Sequence, residues 1–228
     1  MKDIKFYTRI DSIPSINLSS IYLDYPSEHS NEIKEFSNKL KYDSDVLVYN
    51  GDFITNFKKP ILDLKLSKYS IIQVMNNKYN YCNTLTVNVL PSTLINGEKY
   101  YLFQKRSINS ASGGKLSIFG GATDVDDHSI KETCYRELNE EIIGLKSIKE
   151  DFFNNINDSF KCVSLNENFM LQYNFIDVNI NLEENFKGNP SEGEIIQVHE
   201  DELKSFFISN KEIFTLFVQK ILTDFLNI

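Results

Sequence analysis

The stretch from Thr84 to Arg106, TLTVNVLPSTLINGEKYYLFQKR, alternates apolar and polar residues on both sides of Asn96-Gly97. Successive strand residues face opposite sides of a sheet, and Asn-Gly readily takes the two positive-φ positions of a tight hairpin turn. Two antiparallel strands meeting at Asn96-Gly97 therefore limit the chain to folds built on a sheet. The next segment narrows the choice. SINSASGGKLSIFGG is a small-residue loop with one apolar pair, Ile118 and Phe119, after which Ile130, Cys134, Leu138 and Ile142 recur every fourth residue as one helical stripe. Ser129 with Glu132 three residues on has the spacing of a capping box, and Gly144 offers a stop, so the helix is placed at 130 to 143.

Further along, FKCVSL and FMLQYNFIDVNI are rich in β-branched and aromatic residues and are expected as two strands joined by a turn at Asn166 to Asn168. EGEIIQVH gives another short strand. The tail carries two helical patterns, the second with a stripe of Phe214, Phe217, Val218, Ile221, Leu222 and Phe225. The first 80 residues hold a helix expected at 29 to 41, a strand at DVLVYNG and an alternating run, ILDLKLSKYSI. A region so short needs a partner surface for its apolar runs. Residues 1 to 80 are read as a small α+β extension and 81 to 228 as the main α/β domain.

The formal net charge of -8 argues against a phosphate-backbone binder, though not against a nucleotide. Cys82, Cys134 and Cys162 stand far apart with no C-x-x-C pairing, which reads as buried thiols rather than a zinc site or disulfide framework. Neither the start of the chain nor any later stretch has the apolar run of a signal peptide or membrane span, and a cytoplasmic protein is expected.

Between Arg136 and Glu141 the chain reads RELNEE. Glu137, Glu140 and Glu141 stand at i, i+3 and i+4, so a helix projects them onto one face. Such a face is often merely solvated, since like charges there cost only about 0.3 kcal/mol each. Oxygen ligands in this arrangement also suit a hard cation, Mg²⁺ or Mn²⁺ in its place, that shares its shell with substrate phosphates. Arg136, four residues before Glu140, can pair with it. Gly120 and Gly121 let the backbone approach closely where a side chain would obstruct it.

Together these residues resemble the Nudix box: Gly, five residues, Glu, seven residues, Arg-Glu, an aliphatic, any residue, Glu-Glu, any residue, Gly, an aliphatic. This chain supplies Gly121, then Arg136-Glu137-Leu138-Asn139-Glu140-Glu141, then Gly144-Leu145. Asp127 stands in the first Glu slot with one extra residue before Arg136. One of Ile142 and Ile143 is extra before Gly144, and Phe119 replaces the proline often found before the double glycine. The spacing of Asp124, Asp127 and Thr133 is similar to that of the coenzyme A pyrophosphatase branch. Upstream, YNGDFITNFKKPILDLKLSKYSIIQVM resembles the stretch that precedes the domain in UDP-glucose pyrophosphatase-type Nudix proteins.

The resemblance implies an α/β/α sandwich with a mixed sheet and a small N-terminal extension. It implies hydrolysis of a diphosphate linkage in a nucleoside diphosphate joined to another group, a UDP-sugar being the expected substrate and coenzyme A or another dinucleotide the alternative. Glu137, Glu140 and Glu141 would hold the metal with the Gly120 carbonyl and a further acid from NPSEGEII, Glu194 in preference to Glu192. Glu137 would accept a proton, Arg136 would orient the carboxylates, and Lys105, Arg106, Gly120 and Gly121 would meet the phosphates. A nucleotide-sensing module without catalysis is the rival, against which the intact glutamates speak. Removal of mRNA caps is disfavoured by the acidic charge. The expected partner is a small nucleotide, with neither bulk nucleic acid nor membrane.

Overall fold

At the centre of the computed structural model the hairpin closes at Asn96 (φ 53°) and Gly97 (φ 85°), the positive pair that the turn requires. Residues 4–40, 42–51, 53–56, 58–79, 81–108, 112–166 and 170–228 are described, the side chains of residues 55 and 56 excepted. The expected turn after Asn166 thus falls mostly outside them. In chain order the strands and helices begin with β1 (Ile4–Arg9), β2 (Ser15–Tyr22), α1 (Ser30–Ser37), β3 (Asp45–Tyr49), α2 (Phe53–Asn56), β4 (Ile61–Lys68) and α3 (Tyr69–Asn76). The hairpin is β5 (Asn83–Ile95) and β6 (Glu98–Arg106), followed by β7 (Leu116–Ser117), α4 (Ile130–Glu141), β8 (Ile142–Leu145) and α5 (Lys149–Asp158). Then come β9 (Phe160–Asn166), β10 (Met170–Asn179), β11 (Leu182–Gly188), β12 (Gly193–His199), α6 (Leu203–Ser209) and α7 (Leu216–Phe225).

Among the described residues, ten strands form one mixed sheet in the order β1-β9-β10-β5-β3-β4-β2, with β6 branching from β5 to reach β7 and β12. β10 runs parallel to β5 and β2 parallel to β4, while the other pairs are antiparallel. Strands from the first 80 residues lie in this sheet, β3 beside β5 and β1 beside β9. A separate two-stranded sheet joins β8 to β11.

Helices cover both faces. On one, Leu85, Val87 and Val89 of β5 pack with Ile130, Cys134 and Leu138 of α4 and with Phe152 and Ile156 of α5. On the other, Leu90 and Phe103 pack with Phe207 of α6 and Val218, Ile221 and Leu222 of α7. Each fully buried aliphatic side chain contributes about 2 kcal/mol, so the stripe of α4 anchors that helix to the sheet. The three cysteines are free and buried.

Several boundaries differ from the sequence reading. α4 ends at Glu141 rather than 143, because Ile142 and Ile143 pair with Gly188 and Lys187 of β11 and Gly144 turns at φ 95°. The N-terminal helix spans Ser30–Ser37, not 29 to 41. The run ILDLKLSKYSI divides at Tyr69, where α3 begins and buries Ile71, Ile72, Val74 and Met75. No helix among the described residues is long and apolar enough to cross a membrane.

Candidate active site

Helix α4 begins as its cap predicts: the Glu132 N–H donates to Ser129 Oγ at 3.2 Å. The Glu132 carboxylate does not return to Ser129 but accepts from the His128 N–H at 2.8 Å. One turn on, Glu137 and Glu141 of RELNEE face the Gly120-Gly121 loop, which is stitched to β5. The Val87 N–H donates to the Gly121 carbonyl at 2.9 Å, and Val89 and Phe119 exchange backbone bonds at 2.7 and 3.0 Å. The fit is tight at both glycines. A Cβ at Gly120, which has φ 140°, would lie 2.1 Å from the Val87 carbonyl oxygen, and one at Gly121 would lie 2.4 Å from Glu137 Oε2.

Arg136 is the hub of the acidic cluster. Its Nη2 donates to Asp127 Oδ2 at 2.9 Å and to the Ala122 carbonyl at 2.8 Å, and its Nη1 donates to Glu137 Oε1 at 2.7 Å and Glu140 Oε1 at 3.3 Å. The pairing with Glu140 expected from the i,i+4 spacing is thus present but longer than those to Asp127 and Glu137. Asp127 is buried, so the acid in the first Glu slot holds the arginine. Burial alone would lower the Arg136 guanidinium, but hydrogen bonding and charge from Asp127 and Glu137 hold it above its ordinary value.

Glu141 is 6% exposed and gains one donor on each oxygen. The Gly120 N–H reaches Oε2 at 2.8 Å, and Gln104 Nε2, on β6, reaches Oε1 at 2.9 Å. Burial pushes the carboxyl up to about 7; the two hydrogen bonds oppose the shift, and the charges of Glu137 and Glu192 add to it. Burial likewise raises Glu137, against the pull of Arg136. Glu140 is the open member, its side chain 58% exposed.

Glu194 is not brought to this cluster. It lies opposite Lys105 across β12 and β6, with its carboxylate 3.6 Å from Lys105 Nζ, whereas Gln104, one residue earlier and on the other face, points to Glu141. The segment NPSEGEII instead offers Glu192, whose charge acts on Glu141. Asn189 ties this segment to the helix end: its N–H donates to the Glu141 carbonyl at 2.8 Å and its Nδ2 to the Glu140 carbonyl at 2.9 Å. Gln104 and Asn189 carry no motif by which sequence reasoning could have found them. Strand alternation could not have separated Glu192 from Glu194, which stand two residues apart; the turn in which the Glu192 and Gly193 N–H groups both donate to the Asn189 carbonyl does so.

The glycine loop borders a cleft of about 1520 Å³ lined by Arg106, Gly120 and Gly121, by Asn88 and Gln172 of the sheet, and by Tyr69 of α3. Lys105 lies instead on a smaller hollow of about 550 Å³, shared with Arg106 and Lys187. The half-buried carboxylate of Glu137 and the buried one of Glu141 therefore meet consecutive residues of one loop, and their hard oxygen donors fit a divalent cation. Among the described residues no three His, Cys, Asp or Glu side chains are arranged to hold a metal ion, and Glu137 and Glu140 are turned onto Arg136.

No protein-family model matches the chain, and neither does any curated protein sequence. Solved structures do. A NUDIX hydrolase from Nitrosomonas europaea is 18% identical over 54% of this chain, with TM-score 0.36, and the match spans 61% of that protein's length. The MutT protein from Methanosarcina mazei Go1 is 19% identical over 63% of this chain and 92% of its own, with TM-score 0.39. The NUDIX domain of Shewanella oneidensis NrtR, solved with ADP ribose, is 16% identical over 54% of this chain and 77% of its own, with TM-score 0.31. Two of these three structures, those from Nitrosomonas europaea and Shewanella oneidensis, are named for the family whose box residues 121 to 145 resemble.

Proposed function

We propose that the chain is a Nudix-type hydrolase that depends on a divalent metal, cleaves the diphosphate linkage of a nucleoside diphosphate joined to a second group, and takes a UDP-sugar as substrate. One observation carries the reading: the half-buried carboxylate of Glu137 and the buried one of Glu141 converge on the Gly120-Gly121 loop at the border of the large cleft. Glu137, Glu140 and Glu141 are the residues that would hold the cation, Mg²⁺ or Mn²⁺, with Glu140 turning in from its exposed position. A cation bound there supplies neutralisation of the diphosphate charge and a lowered pKa for an attacking water. Asp127 and Arg136 keep the carboxylates in place, and Glu137, whose carboxyl burial raises, accepts the proton of the water. Arg106, on the cleft wall, places positive charge where phosphate oxygens enter. The UDP-sugar assignment draws on the likeness of residues 49 to 75 to the stretch upstream of the domain in UDP-glucose pyrophosphatase-type proteins.

The test is a screen of nucleotide sugars, ADP-ribose, dinucleotides, coenzyme A and nucleoside triphosphates, each with Mg²⁺, with Mn²⁺ and with EDTA. UDP-sugars are expected to be cleaved faster than coenzyme A, and EDTA to abolish turnover. No cleavage of any compound with either metal would leave a nucleotide-sensing module as the better description.

A further inference from the structure

On the face of β5 opposite Leu85, Val87 and Val89, the residues Thr84, Thr86 and Asn88 are polar, and the neighbouring strand β10 continues them with Gln172 and the fully buried Asn174. An apolar sheet face could have been covered by a helix. This polar one floors the cleft instead.

The hydrogen bonds beneath that floor fix which way its amides point. Asn174 Nδ2 stands near three acceptors, the carbonyls of Cys162 at 3.2 Å and Gln172 at 3.0 Å and the Ser164 hydroxyl at 3.4 Å. Its Oδ1 is therefore the atom turned to Asn88, which must donate through Nδ2, at 2.9 Å. That leaves Asn88 Oδ1, an acceptor, without a protein partner among the described residues. A second relay orients Gln172. Asn166 Oδ1 accepts from the Met170 N–H at 3.1 Å, so Asn166 Nδ2 faces Gln172 Oε1, at 3.4 Å, and the donor Gln172 Nε2 is left without a protein partner among the described residues. Both residues line the cleft, and their strands lie about 4.8 Å apart. A Cβ on Gly120 would come 2.9 Å from Asn88 Cα, so the pair lies directly beside the loop that receives Glu141.

We infer that Asn88 Oδ1 and Gln172 Nε2 form a recognition pair for an uncharged group that presents one hydrogen-bond donor and one acceptor side by side. Resting on the hydrolase reading, this assigns the specificity of the site: the pair reads the group attached next to the diphosphate rather than the phosphates themselves. The imide edge of a pyrimidine and two vicinal sugar hydroxyls both have this chemistry. A hydrocarbon or a third phosphate lacks it, and a polar pair that a ligand covers without supplying a partner penalises that ligand.

The experiment measures equilibrium binding of uridine 5′-monophosphate, glucose 1-phosphate and phenyl phosphate by calorimetry in EDTA, so that turnover is not required, for the wild type, Gln172→Met and Asn88→Leu. The methionine keeps the length and volume of Gln172 without its donor. In the wild type, uridine 5′-monophosphate or glucose 1-phosphate should bind at least tenfold tighter than phenyl phosphate, and whichever does so identifies the source of the recognised group. Gln172→Met should remove most of that preference while keeping the wild-type melting temperature. Asn88→Leu should remove it as well, and it checks the result if either variant folds poorly. The inference is overturned if the wild type shows no preference over phenyl phosphate, or if both variants keep it. Preference without cleavage in the metal screen would retain the recognition pair and discard the hydrolase reading.

Discussion

Replacing Glu141 by Gln in the metal-free protein should stabilise it, and by an amount that depends on pH. The carboxyl rises from 4.5 unfolded to about 7 folded because it is buried. A carboxyl raised in this way adds stability below its unfolded value, and that contribution is lost as pH climbs through the folded one. At 1.36 kcal/mol per pKa unit, the charged form costs the fold less than about 1 kcal/mol at pH 5 and about 3 kcal/mol at pH 8. The amide introduced by Glu141→Gln has no charge to desolvate. It can accept from the Gly120 N–H through its carbonyl and meet a flipped Gln104 amide through its NH₂, so little hydrogen bonding is lost. Urea unfolding of both proteins in EDTA should therefore give a stability gain for Glu141→Gln that is about 2 to 3 kcal/mol larger at pH 8 than at pH 5. A gain that is the same at both pH values, or a loss at pH 8, would refute the account of Glu141 as a desolvated carboxylate.

Other outcomes follow from the same geometry. Added Mg²⁺ should raise the melting temperature of the wild type, EDTA should reverse the rise, and Glu141→Gln should abolish it together with at least about a hundredfold of the hydrolysis. Arg136→Ala leaves the buried Asp127 and the half-buried Glu137 without their counter-charge and should cost about 1 to 3 kcal/mol in urea unfolding. Gly120→Ala forces a methyl against the Val87 carbonyl at positive φ and should lower stability by about 2 kcal/mol or more. Gly121→Ala meets only the end of the Glu137 side chain, so the fold should survive while metal-induced stabilisation and turnover both fall.

The parts of this architecture that were legible in the sequence are those whose signals are local. Asn96-Gly97 specifies its own turn, and the stripe of Ile130, Cys134 and Leu138 with the Ser129 cap specifies a helix wherever the rest of the chain goes. The end of that helix is not legible in the same way, because it is decided by pairing of Ile142 with Gly188, a contact that the pattern of four does not carry. β1 and β2 escape sequence reasoning for a similar reason, since their burial alternates weakly and their partners lie far along the chain. α5 could have been found, because Phe152 and Ile156 stand one turn apart and both are buried. In the site, the charges of RELNEE advertise themselves, but the uncharged Gln104, Asn88 and Gln172 take their roles only from what the sheet places beside them.

The pairing of β1 with β9 puts Thr8 opposite Val163, joining strands separated by most of the chain. On a ribosome, the first strand emerges long before its partner has been made, with Phe6 and Tyr7 still lacking the residues they will pack against. Loop closure over such a distance is slow, and an apolar strand awaiting it is exposed to pairing with other chains. The lysine and arginine of IKFYTR place charge within that strand, which discourages edge-to-edge association while it waits. Removing those two charges should lower the soluble yield of newly made protein, and loss of the Arg9 bonds to the Asp224 carboxylate should weaken the folded protein as well.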